Sequence, residues 1–365
     1  MSPSLQINVD KIQYNTATIV ERCRRQSISV LGVTKGFTAI EQIVQAVVEG
    51  GVDGLADSRM ENIIEMRDRG FHLPITLLRI PRLSDVLNVI GYVDTSVNSE
   101  FTVIQALADA ARTRGRVHQV ILMIDVGDLR EGLLQENAFR AAVQTAKLQG
   151  VKLVGLGTNM GCFGGVLPST DNLGLLVRLT RAIEHRLGSQ LEVVSGGGTS
   201  SLLLLENGLL PSGINQLRIG EGILLGTDTT NQRSIPGLHQ DAFRLQAEVI
   251  ELKEKPSLPI GEIGRDAFGN IPQFVDLGNR KRAIVALGRQ DVNIEGIWPL
   301  TAGITIIGAS SDHLILDVTD SETDIRMGNE IAFGLTYSGL LSASQSRYIA
   351  KVFIGGRYDR TNTGH

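Results

Sequence analysis

Cysteine is nearly absent: Cys23 and Cys162 are the only two in 365 residues. That excludes a disulfide framework, and both are expected to be free thiols in a reducing compartment. No run approaches the ~18 uninterrupted apolar residues that cross a bilayer. The start, MSPSLQINVDKIQYN, lacks a basic segment followed by an apolar one, so a cytoplasmic protein with no membrane partner is expected. Charge of one sign is missing too. With 35 basic and 39 acidic residues interspersed and a net charge of −4, there is no basic stripe to follow a phosphate backbone. Nucleic acid is not an expected partner, and no metal site is read. Hydrophobic residues make up 42% of the chain, enough for a large core without staples.

The length suits a (β/α)8 barrel of ~250 residues plus a smaller domain. Apolar runs at Val30–Lys35, Asp53–Ala56, Ile75–Leu78, Val93–Val97, Val117–Asp125, Leu153–Thr158, Leu191–Ser195 and Gln216–Ile219 read as strands. Helical spacing falls between them, at Ile40–Glu49, Arg59–Arg69, Leu83–Ile90, Glu100–Arg114, Asn137–Gln149, Asn172–Leu187 and Ser200–Asn207. Such alternation implies a parallel sheet, and eight units imply closure. From about Asp241 the texture changes. Phe243–Leu252, Arg282–Leu287, Thr305–Ile307, His313–Val318, Glu330–Phe333 and Ala350–Ile354 read as short strands separated by Gly, Pro, Asn and Asp. The expected fold is a (β/α)8 TIM barrel over 1–235 with a C-terminal all-β domain over 236–365. Alternating Leu5–Val9 is expected to pair with that second domain.

A barrel of this kind does its chemistry at the C-terminal ends of its strands. The predicted ends are polar: Lys35, Asp57-Ser58-Arg59, Arg79, Asn98, Asp125–Arg130, Thr158-Asn159, Ser195–Ser200 and Arg218–Glu221. Lys35 closes a run containing Leu31 and Val33. Either it marks where the strand meets water, or its amine is desolvated, lowered in pKa and suited to bonding an aldehyde. Ser195-Gly196-Gly197-Gly198-Thr199-Ser200 is either a tight turn or a phosphate loop whose glycines free backbone N–H groups ahead of a helix. Beside Gly220 and Glu221 it falls at the loops after strands seven and eight, where barrels commonly hold phosphate. An amine on the first strand and a phosphate seat opposite bracket a cofactor the size of pyridoxal phosphate. Arg218 is placed to face its pyridine nitrogen, and Arg130 its phenolate or a substrate carboxylate; alone, each arginine is equally a solvated rim charge.

At this point the chain resembles the alanine racemase family. The likeness is carried by LQINVDKIQYNTATI (Leu5–Ile19), the first-strand lysine, DVGDLREG (Asp125–Gly132), Gly155–Asn159, the Gly-rich segment, LRIGEGILLG (Leu217–Gly226) and GASSDHLILDVTD (Gly308–Asp320), in order and spacing. GTNMGCFGG (Gly157–Gly165), SGGGTSS, GINQLRIGEGILLG and ALGRQDV (Ala286–Val292) look like its ornithine racemase branch. The resemblance implies a pyridoxal 5'-phosphate racemase acting on a basic amino acid, ornithine first and lysine second. It also implies a head-to-tail homodimer in which the partner's β domain completes each site. Carried over, Lys35 looks like the cofactor-bonded acid/base and Arg218 the pyridine partner, with Arg130 contacting phenolate or carboxylate. Ser195, Gly198, Thr199, Ser200, Gly220, Glu221 and Tyr337 look like the phosphate seat, and Asn159 falls where alanine racemases place a histidine beneath the ring.

Three departures matter. The tyrosine serving alanine racemases as second base aligns with Arg289, which stays protonated and is a poor base. Cys162, after the sixth strand, is the expected substitute, being either a thiol at a cationic mouth or a small buried hydrophobe; Asp291, His313 and Tyr337 are weaker candidates. The lysine carbamylated in many alanine racemases is Met123 here, so another group, with Asp128 the expected one, must orient Arg130. In Ser310-Ser311-Asp312-His313, Ser311 and Asp312 align with the stretch closing the alanine pocket, where Asp312 would pair with a distal ammonium or simply cap a turn. Two other activities share the barrel. A single-domain pyridoxal-phosphate homeostasis protein lacks a β domain, and decarboxylases of this fold set glutamate where Arg218 stands.

Overall fold

The computed structural model describes residues 2–356. Short β1 (Ser4–Asn8) opens the chain and α1 (Val9–Arg24) follows directly. Strands and helices then alternate: β2 (Ser29–Val33), α2 (Glu41–Glu49), β3 (Gly54–Asp57), α3 (Met60–Asp68), β4 (Ile75–Leu77), α4 (Val86–Tyr92), β5 (Thr95–Asn98), α5 (Phe101–Thr113), β6 (His118–Met123), α6 (Gln135–Ala146), β7 (Val151–Thr158), α7 (Thr170–Leu187), β8 (Val193–Gly196), α8 (Leu202–Glu206) and β9 (Gln216–Ile219). Helix α9 (Glu221–Leu225) and a small hairpin of β10 (Thr227–Asp228) and β11 (Arg233–Ser234) complete this unit, which spans Asp10–Gln240. Strands β2 to β9 run parallel, and β9 pairs back onto β2, so the barrel is closed.

Local chemistry explains the elements. Strands β3 and β4 are buried at every residue, as expected where a barrel interior covers one face and helices the other. At α7, Ser169 and Asn172 form a reciprocal capping box and Gly188, at φ 68°, ends the helix. Gly155 is required where β7 abuts β8, because a Cβ there would lie 2.1 Å from the Val193 carbonyl oxygen.

The second unit takes the chain up to Val9 and from Asp241 on. Its strands are β12 (Phe243–Pro256), β13 (Asn279–Val285), β14 (Ile297–Pro299), β15 (Thr305–Ala309), β16 (Leu314–Asp317), β17 (Glu330–Leu335) and β18 (Ala350–Ile354). They run in the order β14-β17-β12-β13-β16-β15, and β1 lies antiparallel to β12 and parallel to β18. This unit also carries α10 (Tyr337–Gln345), which the sequence pattern does not announce. Its YSGLLSASQ has no sustained apolar stripe; a local N-cap, Thr336 Oγ1 accepting from the Gly339 N–H, starts it, and Thr336 is itself tied to the Gly296 carbonyl. Helix α1 was likewise not anticipated.

The first barrel strand ends two residues before Lys35. Thr34 has left the extended conformation (φ −95°, ψ −13°), and Lys35 opens a 3-10 turn, Lys35–Phe37. The reason is a side-chain lock: Thr34 Oγ1 donates to Asp57 Oδ2 at 2.5 Å, tying the end of β2 to the end of β3.

Within the barrel wall His118 is buried, its Nε2 2.8 Å from Ser96 Oγ. Burial pushes its imidazole from 6.5 down to about 4, against a weaker pull from Asp94. As pH falls through that window the unfolded chain takes up a proton that the folded chain does not, so stability should fall by up to about 3 kcal/mol. Urea titrations of His118→Gln should show this part of the pH profile flattened; an unchanged slope would assign the acid sensitivity elsewhere.

Candidate active site

The ends of the barrel strands surround a pocket of about 350 Å³ lined by Lys35, Ser58, Leu78, Arg79, Ile80, Val97, Met123, Arg130, Glu131, Asn159 and Arg218. Every one lies in or just after a barrel strand. Four of these side chains are cations, Lys35, Arg79, Arg130 and Arg218, and one is a carboxylate.

Lys35 reaches this pocket from the turn after β2. Burial pushes its amine below the ordinary lysine value; Cys162 and Asp57 oppose the shift, and Arg130 and Arg218 add to it. Asp57 itself is wholly buried, and burial raises it despite hydrogen bonds from Thr34 Oγ1, the Arg59 N–H and Asn62 Nδ2. Its role is to hold the turn that aims Lys35.

Arg218 projects from β9 and is only 8% exposed. Its guanidinium donates to Ser195 Oγ at 2.5 Å and to the Thr158 carbonyl at 2.6 Å. Ser195, expected in the phosphate seat, thus orients Arg218 instead. Burial pushes Arg218 down to about 10, which leaves it a cation at neutral pH.

Arg130 pairs through Nε and Nη2 with both carboxylate oxygens of Glu131. The expected anchor, Asp128, is otherwise engaged. Its buried carboxylate accepts from the N–H groups of Gly161 at 3.1 Å, Phe163 at 3.2 Å and Val166 at 3.2 Å, cradling the loop that carries Cys162. Among the described residues, no hydrogen bond joins Asp128 to Arg130, which feels this carboxylate only through its charge. Asn159 Oδ1, in the amide orientation that satisfies its neighbours, accepts from Arg130 Nη2 at 2.8 Å. Met123 is buried against this pocket.

Cys162 is exposed, which removes the reading of a small buried hydrophobe. Its sulfur lies within electrostatic reach of Lys35, Arg130 and Arg218. Gly198, Thr199 and Ser200 begin a 3-10 turn, Thr199–Ser201, and Gly220 and Glu221 begin α9. First turns leave backbone N–H groups without intrahelical acceptors. Thr199 Oγ1 accepts from the Gly222 N–H at 3.2 Å, joining the two loops. Glu221 Oε1 accepts from Thr227 and Thr229, and a negatively charged side chain leaves the backbone N–H as the group suited to an anion.

The remaining expected residues belong to the second unit. Gly288 packs so tightly on Ser311 that a Cβ would meet the Ser311 carbonyl oxygen at 2.0 Å. Arg289 and Gln290 donate backbone N–H groups to Ser310 and Ser311 at 3.0 Å, so Arg289, Asp291, Ser311, Asp312 and His313 form one platform. Arg289 pairs with Glu295 at 2.9 Å and lies over the Phe268 ring at 5.2 Å, Asp312 accepts from Ser311 Oγ at 2.5 Å, and Tyr337 begins α10. Glu131 was missed because an acid beside an arginine in sequence is commonplace on surfaces. Ser58 and Arg79 were visible at strand ends, with no pattern to single them out.

These features define the class as a closed (β/α)8 barrel with a desolvated amine among guanidiniums at its strand ends. Residues 7–228 match the family model "Alanine racemase, N-terminal domain". Ornithine racemase of Acetoanaerobium sticklandii is 42% identical over 97% of this chain and 100% of its own length. Lysine racemase of Thermotoga maritima is 42% identical over 96% of this chain and 98% of its own. Among solved structures, alanine racemase of Clostridium difficile 630 superposes with a TM-score of 0.73 at 18% identity, covering 97% of this chain and 96% of that one. Alanine racemase of Streptomyces lavendulae gives 0.74 at 18% identity over 98% of both. The chain belongs to the alanine racemase family.

Asp128→Ala should free the 161–166 loop: hydrogen exchange at Gly161, Phe163 and Val166 should accelerate and stability fall by about 1–3 kcal/mol. Retained protection at all three amides would show that the loop is held by something else.

Proposed function

We propose that this protein is a pyridoxal-phosphate-dependent racemase that interconverts the L- and D-forms of a basic amino acid, ornithine first and lysine second. The observation carrying it is near-full-length similarity at 42% identity to curated ornithine and lysine racemases, joined to the buried amine of Lys35. The mouth fits the cofactor. A depressed lysine meets an aldehyde, Arg218 offers a fixed cation for the pyridine edge, and the first turns at Thr199 and Glu221 offer backbone donors for phosphate. When bound, pyridoxal phosphate supplies the electron sink that makes an amino acid's Cα proton removable near neutral pH.

The roles of the chain's own residues follow. Lys35 holds the cofactor and moves a proton at Cα on one face. Burial keeps its amine ready to accept that proton. Arg218, locked by Ser195 and Thr158, stays protonated and would meet the pyridine edge of the cofactor as a cation that gives up no proton. Arg130 would bind the phenolate or the substrate carboxylate, with Asn159, which accepts from it, beside the cofactor ring. Gly198, Thr199, Ser200, Gly220 and Glu221 seat the phosphate through backbone amides. Cys162 serves as acid/base on the opposite face, exposed and surrounded by positive charge. Arg289, held by Glu295 and Phe268, acts as a cation and not as a base. The chain works as a homodimer in which the platform bearing Arg289, Ser311, Asp312 and Tyr337 serves the partner's barrel.

Holoprotein incubated in D2O with L-ornithine should give Cα-deuterated D-ornithine. Lys35→Ala should lose exchange and the visible absorbance band, and Cys162→Ala should lose exchange from one enantiomer by about 100-fold or more. Loss of CO2 without inversion would defeat the racemase reading, and exchange of both enantiomers at native rates in the cysteine variant would remove Cys162 from the chemistry.

For substrate choice, Asp312→Met should lower the ornithine-over-alanine ratio of kcat/KM about tenfold or more, because a carboxylate favours a distal ammonium and disfavours a short apolar side chain. A ratio that does not move would show that Asp312 only caps its turn.

A further inference from the structure

Arginine carries five N–H donors, one on Nε and two on each Nη, and accepts nothing. In Arg130, Nε and one Nη2 donor take the two oxygens of Glu131, the Nη2 contact at 2.5 Å. The other Nη2 donor meets Asn159 Oδ1 at 2.8 Å. Among the described residues, no hydrogen-bond partner is present for Nη1. A bidentate carboxylate fixes both the place and the plane of a guanidinium, which a single contact does not. Glu131 is also the one carboxylate among the described residues lining the pocket, and it is 20% exposed.

We propose that Glu131 is the positioning residue for Arg130. It ties down one edge of the guanidinium so that Nη1 is presented to an anionic oxygen in the pocket, either the carboxylate of the substrate or the ring oxygen of the cofactor. The inference rests on the racemase reading and deepens it. Without Glu131 the guanidinium would keep only its Asn159 contact and would face the Arg218 cation with no carboxylate paired to it.

The test uses holoprotein of the wild type, Glu131→Gln and Glu131→Asp. Changes in visible absorbance are titrated with L-ornithine and with 1,4-diaminobutane, which keeps both amines and lacks the carboxylate. If Nη1 meets the substrate carboxylate, Glu131→Gln should weaken ornithine about tenfold and leave the diamine within about twofold. If Nη1 meets the ring oxygen, the pH midpoint of the absorbance change in the substrate-free protein should rise, since a displaced cation stabilises that oxyanion less. Glu131→Asp should fall between the two. Should Glu131→Gln be less stable, the two ligands compared within that variant still read a carboxylate-specific loss, because partial unfolding weakens both alike. Dissociation constants and midpoint all within about twofold of wild type would overturn the proposal. Native behaviour of the variant beside a working wild type overturns Glu131 alone, whereas a wild type that binds no cofactor overturns the racemase reading together with it.

Discussion

Taking an amine out of water beside two guanidiniums is the constraint around which the barrel mouth is arranged. Each cation loses hydration there and repels the others, a cost that rises as the surroundings become drier. The structure meets it with fixed acceptors: the Thr158 carbonyl and Ser195 Oγ for Arg218, and the paired oxygens of Glu131 for Arg130. Among the described residues, Lys35 has no such acceptor at hydrogen-bond distance, so burial acts on it most directly and its amine is the group driven toward neutrality. Chemistry at a Cα proton needs that asymmetry, with one nitrogen able to give up its proton and neighbours that cannot.

Two buried carboxylates do a different kind of work. Asp57 and Asp128 each collect hydrogen bonds inside the loops at the strand ends, the first from Thr34, Arg59 and Asn62, the second from three backbone amides of the 161–166 loop. Neither lines the pocket. Asp57 holds the turn that brings Lys35 into the pocket and Asp128 holds the loop that carries Cys162, so the positions of both are set by a scaffold and not by the ligand alone. Holding reacting groups within a fraction of an ångström is where such supporting contacts contribute to rate.

In the second unit the same principle appears as a pair of interlocked loops. The absence of a side chain at Gly288 lets the Arg289 and Ser311 segments pack backbone to backbone, which fixes a cation and two acids close together. Arg289 is restrained further by Glu295 and Phe268. A surface arranged in this way is suited to presenting charge in a set pattern.

Strand and helix alternation, the change of texture near Asp241 and the polar strand ends were legible in the chain itself, because a period of two or of 3.6 is a local property of consecutive residues. Lys35, Arg130, Asn159 and Arg218 were legible too, since closure of a barrel brings strand ends together whatever their separation in sequence. What the sequence could not show is who holds whom. Ser195 looked like a phosphate ligand and orients Arg218; Asp128 looked like the partner of Arg130 and cradles a loop instead; Lys35 looked like a strand residue and opens a turn. The sequence by itself determined which residue types stand at the barrel mouth and that the fold would gather them there. The tertiary structure alone decided the hydrogen-bond partners, because a carboxylate or hydroxyl binds whichever donors packing leaves within about 3 Å, and that choice depends on distance and not on order along the chain.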